Sequence, residues 1–243
     1  MIEALLQHLA NGLVIGSTYA LTAAGLSLIF GVMRVPNFAH GEMYMLGGYV
    51  AYTLAVLGGS LVGGPYLSLL FAFLSPFGLG LVVDRWFFRT MRRTEIGFTE
   101  IVTLTWGLGM AVQAFALITW GARYRKLEQF FEGSISVEQV TITHQRLFVF
   151  GIAVVLIISL WIFLHRTRTG MALRATQQNK MVAQTLGIDV DKVYLLTLGL
   201  GFGLAGVAGA LLSPLYFLYP AMGFPIKRKA FTVVVFGGMA SVE

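Results

Sequence analysis

The sequence predicts an all-α integral membrane protein, built as a polytopic bundle of transmembrane helices. Of its 243 residues, 57% are hydrophobic and only 12% are charged, whereas roughly a quarter are charged in an average soluble domain. The mean hydropathy is +0.78. The apolar residues also occur in long runs, and a helix needs about 20 such residues to cross a bilayer. A water-soluble fold could not bury this much apolar surface.

The apolar runs predict six or seven spans in a single domain over residues 1–243. Six runs are complete, at residues 13–30, 43–62, 66–83, 101–120, 147–164 and 193–218, and a seventh begins near Ala230. No Lys or Arg precedes the first run, so the N-terminus lacks the charged region of a secretory signal peptide. We therefore expect the first span to be permanent.

The basic residues predict the orientation. The net charge is +6, but the basic residues lie in short clusters between apolar runs and form no stripe with interleaved aromatics, so nucleic acid is not an expected partner. Ten Lys and Arg fall in one set of alternating loops and seven in the other, in which Lys227, Arg228 and Lys229 are counted. The richer set should be cytoplasmic. The N-terminus and the loop over 123–146 are then expected outside.

Two groups of glycines predict close helix packing. Gly12 and Gly16 lie one helical turn apart. The other group, in the sixth run, comprises Gly199, Gly203, Gly206 and Gly209. In lipid there is little hydrophobic drive between helices, so small residues act by letting backbones approach closely. These glycines indicate a tight bundle and not a ligand site.

A polar interruption separates the first two runs. Residues 31–42, GVMRVPNFAHGE, contain a proline, two glycines and four polar or ionisable side chains. Irregular backbone at membrane depth is tolerated where protein buries it or a wet cavity borders it, and transporters place interrupted helices at binding sites. The other interpretation is an ordinary cytoplasmic turn in which Arg34 and Glu42 are solvated. The composition alone leaves both open.

The segment over 169–192 is too polar to span and predicts a short amphipathic helix over 170–187. Its small, apolar face comprises Met171, Ala172, Ala175, Met181, Val182 and Leu186, at spacings of three and four. Gly187 fits a helix C-cap. Such a helix suits docking to a partner protein or lying on lipid headgroups, and the pattern does not choose between them.

Catalysis, cofactors and metals find little support in the sequence. There is no H-E-x-x-H or G-x-S-x-G motif, and the absence of cysteine excludes disulfides and thiolate chemistry. The four histidines are scattered near the ends of spans. No G-x-x-x-x-G-K-[ST] phosphate loop is present. We therefore expect a protein that is not an enzyme, and any ATP that drives it must bind to another subunit.

Three stretches of the chain resemble the Liv-type permeases of branched-chain amino acid ABC importers. They are GLVIGSTYALTAAGLSLIFGVMRVPNFAHGEMYMLGGY at 12–49, RTRTGMALRATQQNKMVAQTLGIDVDKVYLLT at 166–197 and KAFTVVVFGGMAS at 229–241. The resemblance extends over essentially the whole chain. It implies a membrane-spanning permease that imports leucine, isoleucine, valine or a similar small polar solute, with urea, short amides and other amino acids left open.

The resemblance also implies partners and a location. A second permease subunit, two cytoplasmic ATP-binding subunits and an extracytoplasmic solute-binding protein would assemble with the chain in the bacterial cytoplasmic membrane. Family members normally continue beyond the Gly237-Gly238-Met239 motif through further helices. The chain is therefore expected to be a permease domain that lacks its C-terminal helices.

Candidate site residues follow from the same resemblance. The segment over 170–187 would be the cytoplasmic coupling helix, in which the family carries a motif like E-A-A-x-x-x-G. Here Ala183 and Gly187 match the second alanine and the glycine, while Met181 and Val182 replace the first two residues. The expected ATPase-coupling residues are Arg174, Ala175, Ala183 and Gly187.

The solute pathway is expected at the polar interruption. Its candidate residues are Asn37, His40, Gly41 and Glu42, of which Asn37 and His40 would offer hydrogen bonds to a zwitterion. The alternative function is a secondary transporter or channel that works without ATP. Such a protein is expected to hold ionisable residues inside its spans. Asp84 and Glu100 lie near span ends, and no apolar run has a carboxylate at its centre, which favours the ABC importer.

Overall fold

The computed structural model describes residues 2–62, 64–94, 97–137 and 140–238. Ten α-helices are present in this part of the chain: α1 Ile2–Met33, α2 His40–Val62, α3 Pro65–Val83, α4 Arg89–Arg93, α5 Phe98–Trp120, α6 His144–Arg166, α7 Arg168–Gln178, α8 Lys180–Thr185, α9 Val190–Leu212 and α10 Gly223–Gly237. A π-helical turn, Asp84–Phe88, joins α3 to α4. Strands β1 Ser134–Val137 and β2 Val140–Thr143 form an antiparallel hairpin.

Five helices of the described chain are long and apolar enough to cross a membrane. They are Ala4–Met33, Pro65–Arg92, Phe98–Trp120, His144–Arg166 and Val190–Leu212. The second predicted span forms the 23-residue helix α2, whose first turn is polar. The prediction of an all-α, polytopic membrane protein is confirmed.

The last two predicted spans have different bounds in the structure. The sixth predicted span is α9, which ends at Leu212 and not at Leu218, because Pro214 has no N–H with which to continue the helical hydrogen bonds. The seventh predicted span corresponds to α10, which begins at Gly223 and not near Ala230. Residues 239–243, which include the end of the predicted KAFTVVVFGGMAS motif, lie outside the described residues.

Helix α9 is the centre of the bundle. Its span is 83% buried, against 22% for α5 and α6, and it packs against α1, α2 and α3. A Cβ added to Gly209 would collide with the carbonyl of Tyr44, and one added to Gly47 would collide with the backbone of Gly206. The glycine-rich run therefore packs closely, as predicted.

Gly12 and Gly16 do not share this role. A Cβ added to either would meet nothing within 4 Å. The prediction that this pair packs against another helix is therefore wrong within the described chain. Both glycines lie in the N-terminal half of α1, away from its contact with α9 at Gly25 and Gly201.

The loops gather at two opposite ends of the bundle. At one end, Arg34, which follows α1, donates a hydrogen bond to the carbonyl oxygen of Gln177 in α7. At the other end, Gln7 of α1 exchanges two hydrogen bonds with the backbone of Thr141 in the hairpin. Also at this second end, Arg125 pairs with Leu218 through their backbones.

This arrangement makes the predicted orientation testable. The chain has no cysteine, so single cysteines can replace the exposed residues Gln178 and Glu132, which lie at opposite ends. We expect an impermeant thiol reagent added to intact cells to label Glu132→Cys and to label Gln178→Cys at least tenfold less. Disrupted cells should label both. Labelling of Gln178→Cys alone from outside would reverse the orientation.

Candidate functional site

The polar interruption brings the start of α2 deep into the bundle. After α1 ends at Met33, Arg34 adopts a φ of +55° and the chain turns back. His40 Nε2 lies 2.9 Å from the carbonyl oxygen of Thr22. Because an α-helix rises about 1.5 Å per residue, Thr22 lies roughly 16 Å along the helix axis before the end of α1. Helix α2 therefore begins beside the middle of α1. An ordinary solvated turn is excluded.

The polar side chains of the interruption are buried. Asn37 and His40 are each 1% exposed, and Glu42 is 6% exposed. The Asn37 side-chain oxygen accepts the backbone N–H of Ala39 at 3.0 Å and so forms an Asx turn that leads into α2. Asn37 Nδ2, His40 Nδ1 and Glu42 Oε2 are buried without a hydrogen-bond partner in the described structure. Such atoms are rare in proteins, and each calls for an explanation.

Asn37 precedes α2, and the other three predicted pathway residues lie on two faces of this helix. His40 faces α1 and α9, since its neighbours include Thr22 and the ring of Phe202. Gly41 and Glu42 face α10 instead. Residues two apart on a helix point in nearly opposite directions, so the structure does not bring all four side chains into one pocket.

On the α10 face, Glu42 forms an ion pair with Lys227. The Lys227 Nζ lies 3.3 Å from Glu42 Oε1, and the two side chains are 9% and 7% exposed. The ammonium also lies 4.8 Å from the centre of the Trp106 ring and 5.3 Å from that of Phe224, within the range of cation–π attraction. A Cβ on Gly109 would be 3.4 Å from Glu42 Oε2, so a glycine makes room for the carboxylate.

The burial of Lys227 corrects the charge count made from the sequence. Lys227 was counted in a loop, but it lies inside α10 and is 7% exposed. A local signal marks this face: Ile226, Ala230 and Val234 are buried at intervals of four residues, and Lys227 is adjacent to the first of them. Extending the helical pattern upstream of Ala230 would have found it.

The predicted coupling segment forms two helices and not one. Asn179, with ψ of 106°, separates α7 from α8, and its side chain accepts the N–H groups of Met181 and Val182. Gly187 has a φ of +81°. The backbone N–H of Gly187 donates to the carbonyl oxygen of Gln184, and that of Ile188 donates to the carbonyl oxygen of Ala183. These two bonds form the Schellman pattern. The predicted cap is therefore present at the end of α8.

The predicted coupling residues differ in their exposure. Ala183 is 1% exposed because it packs inside the chain's own core, whereas Arg174 and Ala175 are half-buried and Gly187 is exposed. Ala183 therefore offers no surface to a partner in this conformation. The apolar surface of α8 is formed by Met181, Val182 and Leu186, which are 75%, 52% and 73% exposed.

An ion network beside α8 joins Arg92 to the end of the preceding span and to the start of α9. Arg92 donates to both carboxylate oxygens of the buried Asp84, at 2.7 and 3.2 Å, and lies 3.4 Å from Asp191. Its guanidinium stacks 4.8 Å from the ring of Tyr194. Lys180 of α8 lies 5.9 Å from the same ring. Sequence reasoning missed this network, because Asp84 and Asp191 are far apart in the chain.

Asp189 begins α9 at the same end. Its carboxylate accepts the N–H of Lys192 and lies 3.0 Å from the Lys192 ammonium. The hydrogen bond with the Lys192 side chain, and then that with its N–H, hold the pKa of Asp189 below its usual range. The ionised carboxylate also favours the N-terminus of α9 through the helix dipole.

Membrane-length helices, a helix that begins at mid-bundle after an irregular segment, and a buried charge pair are features of a membrane transport protein. The family model described as branched-chain amino acid transport system / permease component matches residues 8–242. The chain belongs to this family. The chain has no match among solved structures.

Curated relatives from bacteria and an archaeon agree. The high-affinity branched-chain amino acid transport system permease proteins BraD of Pseudomonas aeruginosa and LivH of Escherichia coli are each 32% identical, over 98% of this chain and 80% of theirs. The probable branched-chain amino acid transport permease protein LivH of Methanocaldococcus jannaschii is 32% identical, over 97% of this chain and 75% of its own.

Proposed function

We propose that the chain is the membrane-spanning permease subunit of an ABC importer. It moves leucine, isoleucine, valine or a similar small polar solute across the cytoplasmic membrane. The observation that carries the proposal is the family match over residues 8–242. The start of α2 at mid-bundle supports it, since transporters bind solutes beside breaks in regular helix at membrane depth.

The energy for transport comes from partner subunits. A second permease subunit, two cytoplasmic ATP-binding subunits and an extracytoplasmic solute-binding protein complete the importer in this proposal. The ATPase docks at α7 and α8, where Arg174 and Ala175 border the interface, Ala183 anchors α8 to the core and Gly187 shapes its exit. The Arg92 network lies beside this docking element: Arg92 binds Asp84, which follows α3, and Asp191 of α9, and Lys180 of α8 lies near the ring of Tyr194.

The solute pathway borders the start of α2 in this proposal. Within the described chain, Asn37 and His40 each keep one buried nitrogen without a hydrogen-bond partner, and Glu42 keeps one such oxygen. Gly41 lets α10 approach, because a Cβ there would collide with the carbonyl of Gly223. These features place hydrogen-bonding capacity on both faces of the helix that begins at mid-bundle.

A secondary transporter remains the second candidate, and one observation favours it. No apolar run has a carboxylate at its centre, but Glu42, in the first turn of α2, is buried beside the middle of the bundle. Intramembrane carboxylates serve ion coupling in pumps and transporters. Here, however, Lys227 already compensates the charge, and the family match favours the ABC importer.

The energy source decides between these two candidates. We expect the chain to copurify with ATP-hydrolysing subunits. The complex in proteoliposomes should take up radiolabelled leucine only when ATP is supplied on the cytoplasmic side of the membrane and the solute-binding protein is present on the other side. Uptake should persist when a protonophore and a sodium ionophore collapse ion gradients. Uptake that continues without ATP and ends with the ionophores would show a secondary transporter instead.

A further inference from the structure

The ion pair between Glu42 and Lys227 is only partly satisfied. Moving two charges out of water costs several kcal/mol per ion, which good geometry and further hydrogen bonds must offset. The pair has a single N–O contact at 3.3 Å. Glu42 Oε2 has no partner in the described structure, and the other contacts of the ammonium in the described chain are to aromatic rings. The pair retains unused capacity for hydrogen bonding.

The pair also lies where two helices begin inside the bundle. Glu42 is in the first turn of α2, and Lys227 is in the second turn of α10. The two helices touch through backbone at Gly41 and Gly223. The pair therefore lies at the contact between the N-terminal ends of α2 and α10.

We propose that Glu42 and Lys227 form a binding site for a zwitterionic solute. Lys227 takes the carboxylate of the solute and Glu42 takes its ammonium group, so each residue exchanges its present partner for a group of the same charge. No charge is left unpaired in the low-dielectric interior during this exchange. The inference rests on the proposed transport function and adds the residues that bind the solute.

This exchange discriminates between classes of solute. A solute with one charge would leave Glu42 or Lys227 unpaired, and breaking a buried pair in this way is strongly destabilising. A neutral amide, such as urea, offers no charge with which to separate the pair. The site therefore selects α-amino acids from the solutes that the sequence left open.

The test compares the charged pair with a neutral one of similar shape. We expect radiolabelled leucine to bind saturably to the wild-type chain in lipid nanodiscs, and the double variant Glu42→Gln/Lys227→Gln to bind at least tenfold more weakly. The double variant leaves no unpaired charge. Lys229→Gln is the matched control, because Lys229 is exposed on the same helix and donates to the Tyr19 hydroxyl at 2.8 Å, and it should bind as the wild type does.

Competition on the wild-type chain gives a second measurement that needs no variant. A hundredfold excess of 4-methylpentanoate or 3-methylbutylamine, which carry one charge each, should not displace leucine, whereas unlabelled leucine should. Displacement by either compound, normal leucine binding by the double variant, or no saturable binding to the wild type would each overturn the site. Because no ATPase or binding protein takes part, failure of the proposed ABC function in proteoliposomes is a separate result.

Discussion

Replacing Gly47 by alanine is expected to destabilise the bundle by about 1–3 kcal/mol or more, the cost of overpacking a well-packed core. A Cβ at Gly47 would collide with the backbone of Gly206 on the central helix α9. Backbone atoms cannot rotate aside as a flexible side chain can, so α2 and α9 must move apart. The measurement is the thermal unfolding of the purified protein in detergent, in which the variant should unfold several degrees below the wild type.

Gly16→Ala is the matched control for Gly47→Ala. Both substitutions gain the same helix propensity, up to about 1 kcal/mol of alanine over glycine. A Cβ at Gly16 meets nothing within 4 Å, so this variant should unfold at or above the wild-type temperature. Equal melting temperatures for the two variants would show that the close approach of α2 and α9 is not required for stability.

The two groups of glycines show how far a local pattern predicts packing. The spacing of small residues predicts that a helix can be approached closely, and the structure confirms this for the run in α9. The same spacing at Gly12 and Gly16 has no neighbour in the described chain. The spacing of small residues within one helix indicates that another helix can approach closely. Whether a helix does so depends on how the whole chain folds.

The buried charges mark the limit of sequence reasoning more clearly. Glu42 and Lys227 are separated by 185 positions in the chain, and the pairing of such distant residues leaves no trace in a single sequence. Arg92 and Asp191 are another such pair. The interruption before α2 was predictable, because Pro36 and the polar residues after it cannot continue an apolar span. Its depth in the bundle was not.

The break between α7 and α8 has a local cause that the apolar pattern hid. The spacing of apolar residues continues through the segment, which favoured one helix over 170–187. Asn179, however, bonds the N–H groups of the next turn with its own side chain. Asparagine competes with helical hydrogen bonds in this way and favours caps. The residue type was therefore informative where the periodicity was not.

Removing the apolar surface of α8 is expected to uncouple the permease from its ATPase. The surface is formed by Met181, Val182 and Leu186, which are exposed in the described chain. If this surface is buried on docking, each change to serine costs about 1 kcal/mol of apolar burial, so the triple variant should bind the ATPase roughly a hundredfold more weakly. Solute-stimulated ATP hydrolysis should fall accordingly. Ala183→Trp would not test this contact, because Ala183 is buried in the chain's own core.

Gln178→Ser is the control for this surface, since Gln178 is exposed at the end of α7 and lies apart from the apolar side chains of α8. It should copurify with the ATPase as the wild type does, and all variants should reach the membrane in equal amounts. A helix that lies on lipid headgroups would behave differently, because apolar-to-polar changes would then weaken its contact with vesicles of the chain's own lipids and leave ATPase binding intact. Full ATPase binding by the triple variant would therefore assign this surface to the membrane. Loss of ATPase binding with normal membrane insertion would assign the surface to the ATPase. The three substituted side chains are exposed on α8, so their replacement leaves the caps of this helix at Asn179 and Gly187 in place.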